Sequence, residues 1–197
     1  MIRLINIDKK NYKNILKLDP GSDNKQYIDD ISECILEYLF YRKSVVKAIN
    51  LNNITIGFVM IEDKHNNKWI RQLLIDKKFQ NQGYGTIALK LIIRYIQKKY
   101  YSKKIFLSTN NSKAVSLYIK FGFYKIEDDN LTKYYKEKYS EDIYNLDLTK
   151  FDYAKIDLHK NEHSKNQHRD NQSIEIDTSK IEFTRNGRNI KMNVVQL

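Results

Sequence analysis

Gln80-Asn81-Gln82-Gly83-Tyr84-Gly85 joins an apolar run, Leu73-Leu74-Ile75, to a long amphipathic segment. A glycine-bearing turn between a strand and a helix leaves backbone N–H groups unpaired and aimed outward, and the helix dipole adds partial positive charge there. Such a junction suits a phosphate or pyrophosphate group, because Gly83 and Gly85 bring no Cβ to block its approach. No Gly-Lys-Ser/Thr follows, so the spacing is not that of a Walker loop, and it is one glycine short of the dinucleotide fingerprint. An ordinary βα loop fits the same local pattern.

A second group with chemical potential is acidic. Asp29, Glu33 and Glu37 recur every four residues, which puts their carboxylates on one face of a presumed helix, with Asp30 adjacent. Such a row could hold a polycation, and a solvated helix face is the plainer account of it. His159, His163 and His168 lie in a polar stretch without cysteine partners, and His65 in a loop, so no metal site is expected.

These residues have to be positioned by regular elements. Hydrophobic periodicity predicts a strand at 2–7, helices at about 11–18 and 23–40, and a hairpin of strands 45–49 and 54–61 turned by Leu51-Asn52-Asn53. After a polar loop at 63–68 comes a strand at 69–75. Ala88, Leu91, Ile92, Tyr95 and Ile96 then mark one face of a helix reaching about Tyr100, with Lys90, Arg94 and Lys98 opposite. A strand at 105–107, a helix at 112–121 and strands at 123–126 and 143–148 complete the set, the last two linked by the tyrosine- and lysine-rich segment 130–140. This order describes an α/β protein with a mixed sheet flanked by helices.

Beyond Lys150 the character changes. Residues 1–150 are expected to form one domain and 151–197 an appendage: a polar linker over 159–173, then β-type content at 174–195. Asn186-Gly187 between Phe183-Thr184-Arg185 and Arg188-Asn189-Ile190 is a strong hairpin signal.

The chain of 197 residues has one cysteine, Cys34, and a formal net charge of +11. One cysteine makes an intramolecular disulfide impossible and suits a reducing compartment. The N-terminus looks like a strand rather than a signal peptide, and no apolar run approaches a membrane span, so a cytoplasmic protein without a membrane partner is expected. The basic excess centres on residues 51–100, where an anionic ligand would be drawn. Lysines scattered singly among Asn, Ile and Tyr match no nucleic-acid module, and no nucleic-acid partner is expected.

Residues 110–123 read Asn-Asn-Ser-Lys-Ala-Val-Ser-Leu-Tyr-Ile-Lys-Phe-Gly-Phe, with cap residues at the start and Gly122 suited to a left-handed helix end. Asn-x-x-Ala-x-x-Leu-Tyr-x-x-x-Gly-Phe following a Gln-x-x-Gly-x-Gly junction resembles the GNAT superfamily of acyl-CoA N-acyltransferases, over about residues 2–148 in element order. The resemblance implies a GNAT-type sheet whose central parallel strands splay apart, and acetyl-CoA as cosubstrate without a metal. It implies that the junction (Gln80, Asn81, Gln82, Gly83, Tyr84, Gly85 and Thr86) receives the pyrophosphate and that the pantetheine arm runs along Leu73, Leu74 and Ile75. Asn111 matches the family's pantetheine contact, and Tyr118 matches its general acid, a phenol able to donate toward the departing thiolate. Packing of the Tyr118 ring into the core is the alternative for that residue.

The implied reaction is direct attack of an amine on the thioester in a ternary complex, with the oxyanion met by a backbone N–H near Leu74. Deprotonating an alkylammonium at pH 7 costs on the order of 4–5 kcal/mol, so a base or water chain is required. Cys34, among Ile31 and Ile35, lies far from both motifs, which argues against an acyl-cysteine route. Gln26-x-Ile28 and Trp69-x-x-x-Leu-x-Ile-Asp76 are similar to bacterial spermine/spermidine N-acetyltransferases, so a small-molecule amine partner, a polyamine or diamine held by the carboxylates of Asp29, Glu33 and Glu37 in a site that also includes Gln26 and Arg71, is the expected acceptor. Arg71 stands where many members carry a carboxylate, and a guanidinium accepts no proton. Either Glu33, Glu37 or a water takes that role, or Arg71 pairs with the carboxylate of an amino-acid or peptide acceptor. A protein N-terminus or lysine as acceptor, a CoA-binding module without turnover, and a homodimer remain open alternatives.

Overall fold

The computed structural model describes residues 1–40, 43–64, 67–127, 130–151, 183–185 and 188–190. The chain divides into two compact units, Met1–Leu158 and His159–Leu197. In the first, the order is β1 (Ile2–Asn6), α1 (Tyr12–Ile15), α2 (Ile31–Phe40), β2 (Ser44–Leu51), β3 (Ile54–Lys64), β4 (Asn67–Ile75), α3 (Tyr84–Tyr100), β5 (Lys104–Thr109), α4 (Ser112–Lys120), β6 (Tyr124–Lys125), α5 (Asn130–Tyr139) and β7 (Asp142–Asp147). In the second, β8 (Phe183–Arg185) and β9 (Arg188–Ile190) pair antiparallel, with Phe183 opposite Ile190. The expected linker histidines and His65 lie outside the described residues.

The first unit holds a seven-stranded sheet in the order β1-β2-β3-β4-β5-β7-β6. Strands β1 to β4 are antiparallel neighbours, β4 and β5 are parallel, and β5-β7-β6 are again antiparallel. The strand period of two sends β3 side chains alternately to two cores. Val59 and Ile61 meet Leu89, Ile92 and Ile96 of α3, while Phe58 and Met60 meet Ile15, Ile31 and Cys34 beneath α1 and α2. The basic stripe of α3 is left on the opposite side from its buried face, as an amphipathic helix requires.

The structure corrects four expectations. The helix expected over 23–40 is two elements: a 3-10 turn at Lys25–Tyr27, then α2 from Ile31. Ile28 is extended (φ −127°, ψ 120°), and Asp30 Oδ1 accepts from Ser32 N–H at 2.7 Å, which starts the new helix. Asp29 therefore precedes the helix and shares no helical face with Glu33. The segment 130–140, expected as a link, is helix α5, held by Tyr135 packing under Trp69 and Ile143. The polar stretch 63–68 contains the end of β3 and the start of β4, and the first helix spans only Tyr12–Ile15.

No helix among the described residues is long and apolar enough to cross a membrane.

Candidate active site

The junction turns through two left-handed residues and leaves N–H groups outside the helix ladder. Gly83 caps α3 in the left-handed region (φ 81°), and Asn81 is also left-handed (φ 60°). The first bond of the helix runs from Ile87 N–H to Gly83 O, so the N–H groups of Tyr84, Gly85 and Thr86 precede the ladder. A Cβ built on Gly83 meets nothing within 4 Å, so open space lies where a ligand would approach. Gln80 plays another part: its Nε2 donates to Ile75 O (2.7 Å) and Pro20 O (3.0 Å), bracing the junction against the end of β4. Gln82 Nε2 donates to Lys78 O from an exposed position.

Between β4 and β5 the ladder holds only at Lys68–Ile105 and Trp69–Phe106. Beyond these pairs the strands part, and a cleft of about 260 Å³ opens between Leu73, Leu74 and Ile75 on one wall and Leu107, Ser108 and Thr109 on the other. The cleft reaches Gly85 of the junction and Tyr118 of α4. Tyr118 is 8% exposed and packs its ring 5.5 Å from Phe123, so it is both a core residue and part of the cleft wall. Burial pushes its phenol up to about 12. A narrow slot leading to an open, N–H-rich turn fits a thiol-tipped arm ending in a pyrophosphate.

Asn111 also lines the cleft, but its amide is engaged within the protein. Its Oδ1 caps α4, accepting from Lys113 N–H (3.1 Å) and Ala114 N–H (3.3 Å), and its Nδ2 donates to Asn24 Oδ1 (3.2 Å). Asn24 donates in turn to Pro20 O (3.0 Å) and Gln80 Oε1 (3.3 Å). This chain of amides locks the start of α4, the 20–27 loop and the junction together. Asn24 carries no sequence signal, because its partners lie far along the chain.

A second cavity of about 570 Å³ adjoins the cleft, sharing Tyr27, Ile70, Arg71, Gln72 and Ser108 with it. Its walls carry five carboxylates (Asp29, Glu37, Glu62, Asp63 and Glu141) against Lys43, Lys64 and Arg71. Arg71 enters through a β-bulge: Ile61 pairs with Ile70 and Met60 with Gln72, leaving Arg71 as the extra residue. Its guanidinium donates to Glu62 Oε1 (2.8 Å), Glu37 Oε1 (3.2 Å) and Asp29 Oδ2 (3.3 Å), with a second, shorter contact to Glu37 Oε2. Burial works against its charge, yet Glu62 and Glu37 outweigh it and hold the group above its ordinary pKa. Glu33 and Gln26 are exposed and line neither cavity. Glu62, Asp63 and Glu141 were not expected from sequence.

The rest of the cavity is aromatic. Trp69 stacks between Phe106 (5.2 Å) and Tyr135 (5.5 Å), with Lys64 Nζ 4.9 Å from the Tyr135 ring centroid. Ser108 Oγ donates to Glu141 Oε2 at 2.6 Å. Cys34 is buried, its thiol donating to Gln72 Oε1 (3.4 Å), and burial pushes it up to about 12, far from a nucleophile's range. No group of His, Cys, Asp and Glu among the described residues could hold a metal ion.

The model of the acetyltransferase (GNAT) family matches residues 10–123. The spermine/spermidine N(1)-acetyltransferase of Bacillus subtilis (strain 168) is 31% identical over 121 residues, covering 55% of this chain and 78% of the relative. Among solved structures, the spermidine N-acetyltransferase from Vibrio cholerae in complex with CoA and spermine superposes with a TM-score of 0.59 at 16% identity, covering 76% of this chain and 96% of that one. A GNAT family acetyltransferase from Elizabethkingia anophelis with acetyl-CoA bound gives a TM-score of 0.53 at 23% identity, covering 75% and 97%.

Proposed function

This chain belongs to the GNAT family of acetyltransferases, and on that premise we propose that it transfers an acetyl group from acetyl-CoA to a primary amine of a polyamine or diamine. The observation that carries the acceptor class is the 570 Å³ cavity, in which five carboxylates face three cations beside the cofactor cleft. The name of the Bacillus subtilis relative, a spermine/spermidine enzyme, supports the same class.

Acetyl-CoA, when bound, supplies an acetyl group activated as a thioester. The N–H groups of Tyr84, Gly85 and Thr86 hold its pyrophosphate, and the backbone edge of Leu73, Leu74 and Ile75 holds its arm in the cleft. A backbone N–H near Leu74 meets the charge that develops on the carbonyl oxygen. Tyr118 holds a proton on its phenol oxygen for the departing sulfur, and its burial keeps that proton in place through neutral pH. Asp29, Glu37 and Glu62 draw in the acceptor's ammonium groups. The wall that the two cavities share supports direct transfer with both substrates bound at once. The Arg71 guanidinium is already matched by three carboxylates, which argues against its recruiting an acceptor carboxylate.

The test is thiol release from acetyl-CoA with spermine, spermidine, short diamines, amino acids and peptides. Turnover confined to di- and polyamines is the expected result. Preference for a peptide or amino acid would overturn the acceptor class, and tight CoA binding without turnover on any amine would leave a binding module.

A further inference from the structure

Resting on the amine-acceptor reading above, we propose that Ser108 and Glu141 form the proton exit for the acceptor: the ammonium passes a proton to Ser108 Oγ as the serine's own proton passes to Glu141. One N–H bond and one serine O–H bond break, while a new serine O–H and a carboxyl O–H form. The acceptor leaves as a neutral amine with a free lone pair, and Glu141 gives up its proton to water. Nothing is oxidised or reduced.

The acceptor nitrogen has one place to stand. It can reach the cleft only where the cavities meet, at Tyr27, Ile70, Arg71, Gln72 and Ser108. Ile70 has no proton chemistry, and a guanidinium has no lone pair to offer. The Gln72 amide is spent at both ends, donating to Asp29 O (3.0 Å) and accepting from Cys34. Tyr27 sits at the rim, 38% exposed, on the 3-10 turn. Ser108 alone among the five is bonded through its side chain to a carboxylate that Arg71 does not claim. A hydroxyl is too weak a base to keep a proton, but one already aligned with a carboxylate at 2.6 Å can relay it.

Glu141 is fixed from two directions. Helix α5 ends with Ser140 in the left-handed region (φ 57°), and Glu141 N–H reaches back to Tyr135 O (3.4 Å). The next residue, Asp142, starts β7 opposite Thr109 of β5, the neighbour of Ser108. The groups sharing the cavity with Glu141 are mixed in charge: Glu62, Asp63 and Lys64 from β3, Lys43 ahead of β2, and Arg71 from β4. Asp29 and Glu37 stand on the Arg71 side, and α5 adds Tyr135 and Tyr139. The Ser108–Glu141 pair is thus the carboxylate route that opens directly onto the shared wall.

The experiment compares wild type with Glu141→Gln, Glu141→Asp and Ser108→Ala, using spermidine and a diamine whose reacting amine carries a β,β-difluoro group and is largely neutral at pH 7. Expected at pH 7 is a loss in kcat/KM of about 100-fold for Glu141→Gln and Ser108→Ala with spermidine. That loss should shrink toward pH 10 and stay under about 3-fold with the fluorinated amine, while Glu141→Asp recovers part of the rate. CoA titrations by calorimetry and melting curves check that each variant keeps its cleft and fold. A loss equal at all pH values and for both amines, or no loss, overturns the relay while leaving the acceptor reading intact. A wild type inert toward every amine removes both together.

Discussion

Arg71 occupies the place where an incoming cation would be most strongly held, so its removal should tighten acceptor binding rather than weaken it. Arg71→Gln keeps an amide donor but changes the cluster with Asp29, Glu37 and Glu62 from three negative charges against one positive to three unopposed. A guanidinium about 6 Å from an ammonium repels it by about 0.7 kcal/mol at a water-like dielectric and about 3 kcal/mol at an effective constant of about 20. The Arg71 side chain is 30% exposed, which favours the lower part of that range. About 1–1.4 kcal/mol is the working figure, a 5- to 10-fold gain in spermidine affinity. Calorimetric titration with spermidine reads it directly, and KM should fall in parallel. Screening should erode the gain, since the Debye length shrinks from about 10 Å at 0.1 M salt to about 3 Å at 1 M. Three crowded carboxylates should also cost the fold about 1–2 kcal/mol. Unchanged or weaker spermidine binding in a variant that still melts cooperatively would refute the idea that Arg71 and the acceptor compete for these carboxylates.

Further outcomes are expected at the donor side. Tyr118→Phe should lower kcat about 10- to 100-fold with CoA affinity little changed, and undiminished kcat would remove the phenol from the acid role. Burial raises the Tyr118 pKa to about 12, so its contribution to stability is complete below about pH 10 and is lost as pH rises from there toward 12. Chemical denaturation of wild type and Tyr118→Phe across that window should show the difference. Gly83→Val forces a β-branched residue into φ 81° and puts its side chain into open space, so CoA titration should show affinity reduced by more than about 10-fold. Gly57→Ala places a Cβ 2.3 Å from Leu74 O, a backbone atom that must move. A loss of about 2–3 kcal/mol in unfolding experiments is expected, together with weaker CoA binding because Leu74 lines the cleft.

The shape of the β4–α3 junction was largely legible in the sequence because it is local. The two glycines, the apolar run before them and the periodic face of α3 lie within one stretch, and the tight turn follows from the residue types. The larger cavity was not. Glu62, Asp63 and Glu141 share one cavity with Arg71 and Ser108 only because β3, β4, β5 and β7 are assembled in that order. The bulge at Arg71 is a property of cross-strand register, invisible in either strand alone. Asp29, Glu33 and Glu37 looked like one row because spacing of four was read as unbroken helix. The Asp30 cap interrupts it, sending Asp29 and Glu37 to Arg71 and Glu33 to solvent. Helix α5 was missed since its outer face is rich in Lys and its inner face is aromatic, so Tyr135 shows its purpose only against Trp69.

The two-pair contact between β4 and β5 has a mechanical meaning. It makes the seven-stranded sheet two half-sheets joined along a short hinge, and the interior behind α3 is what spans them. A molecule lying in that seam touches both halves and acts as a removable ladder. Force applied across the sheet should therefore part it first at this line, and a bound donor should stiffen the hinge without altering a single strand pairing elsewhere.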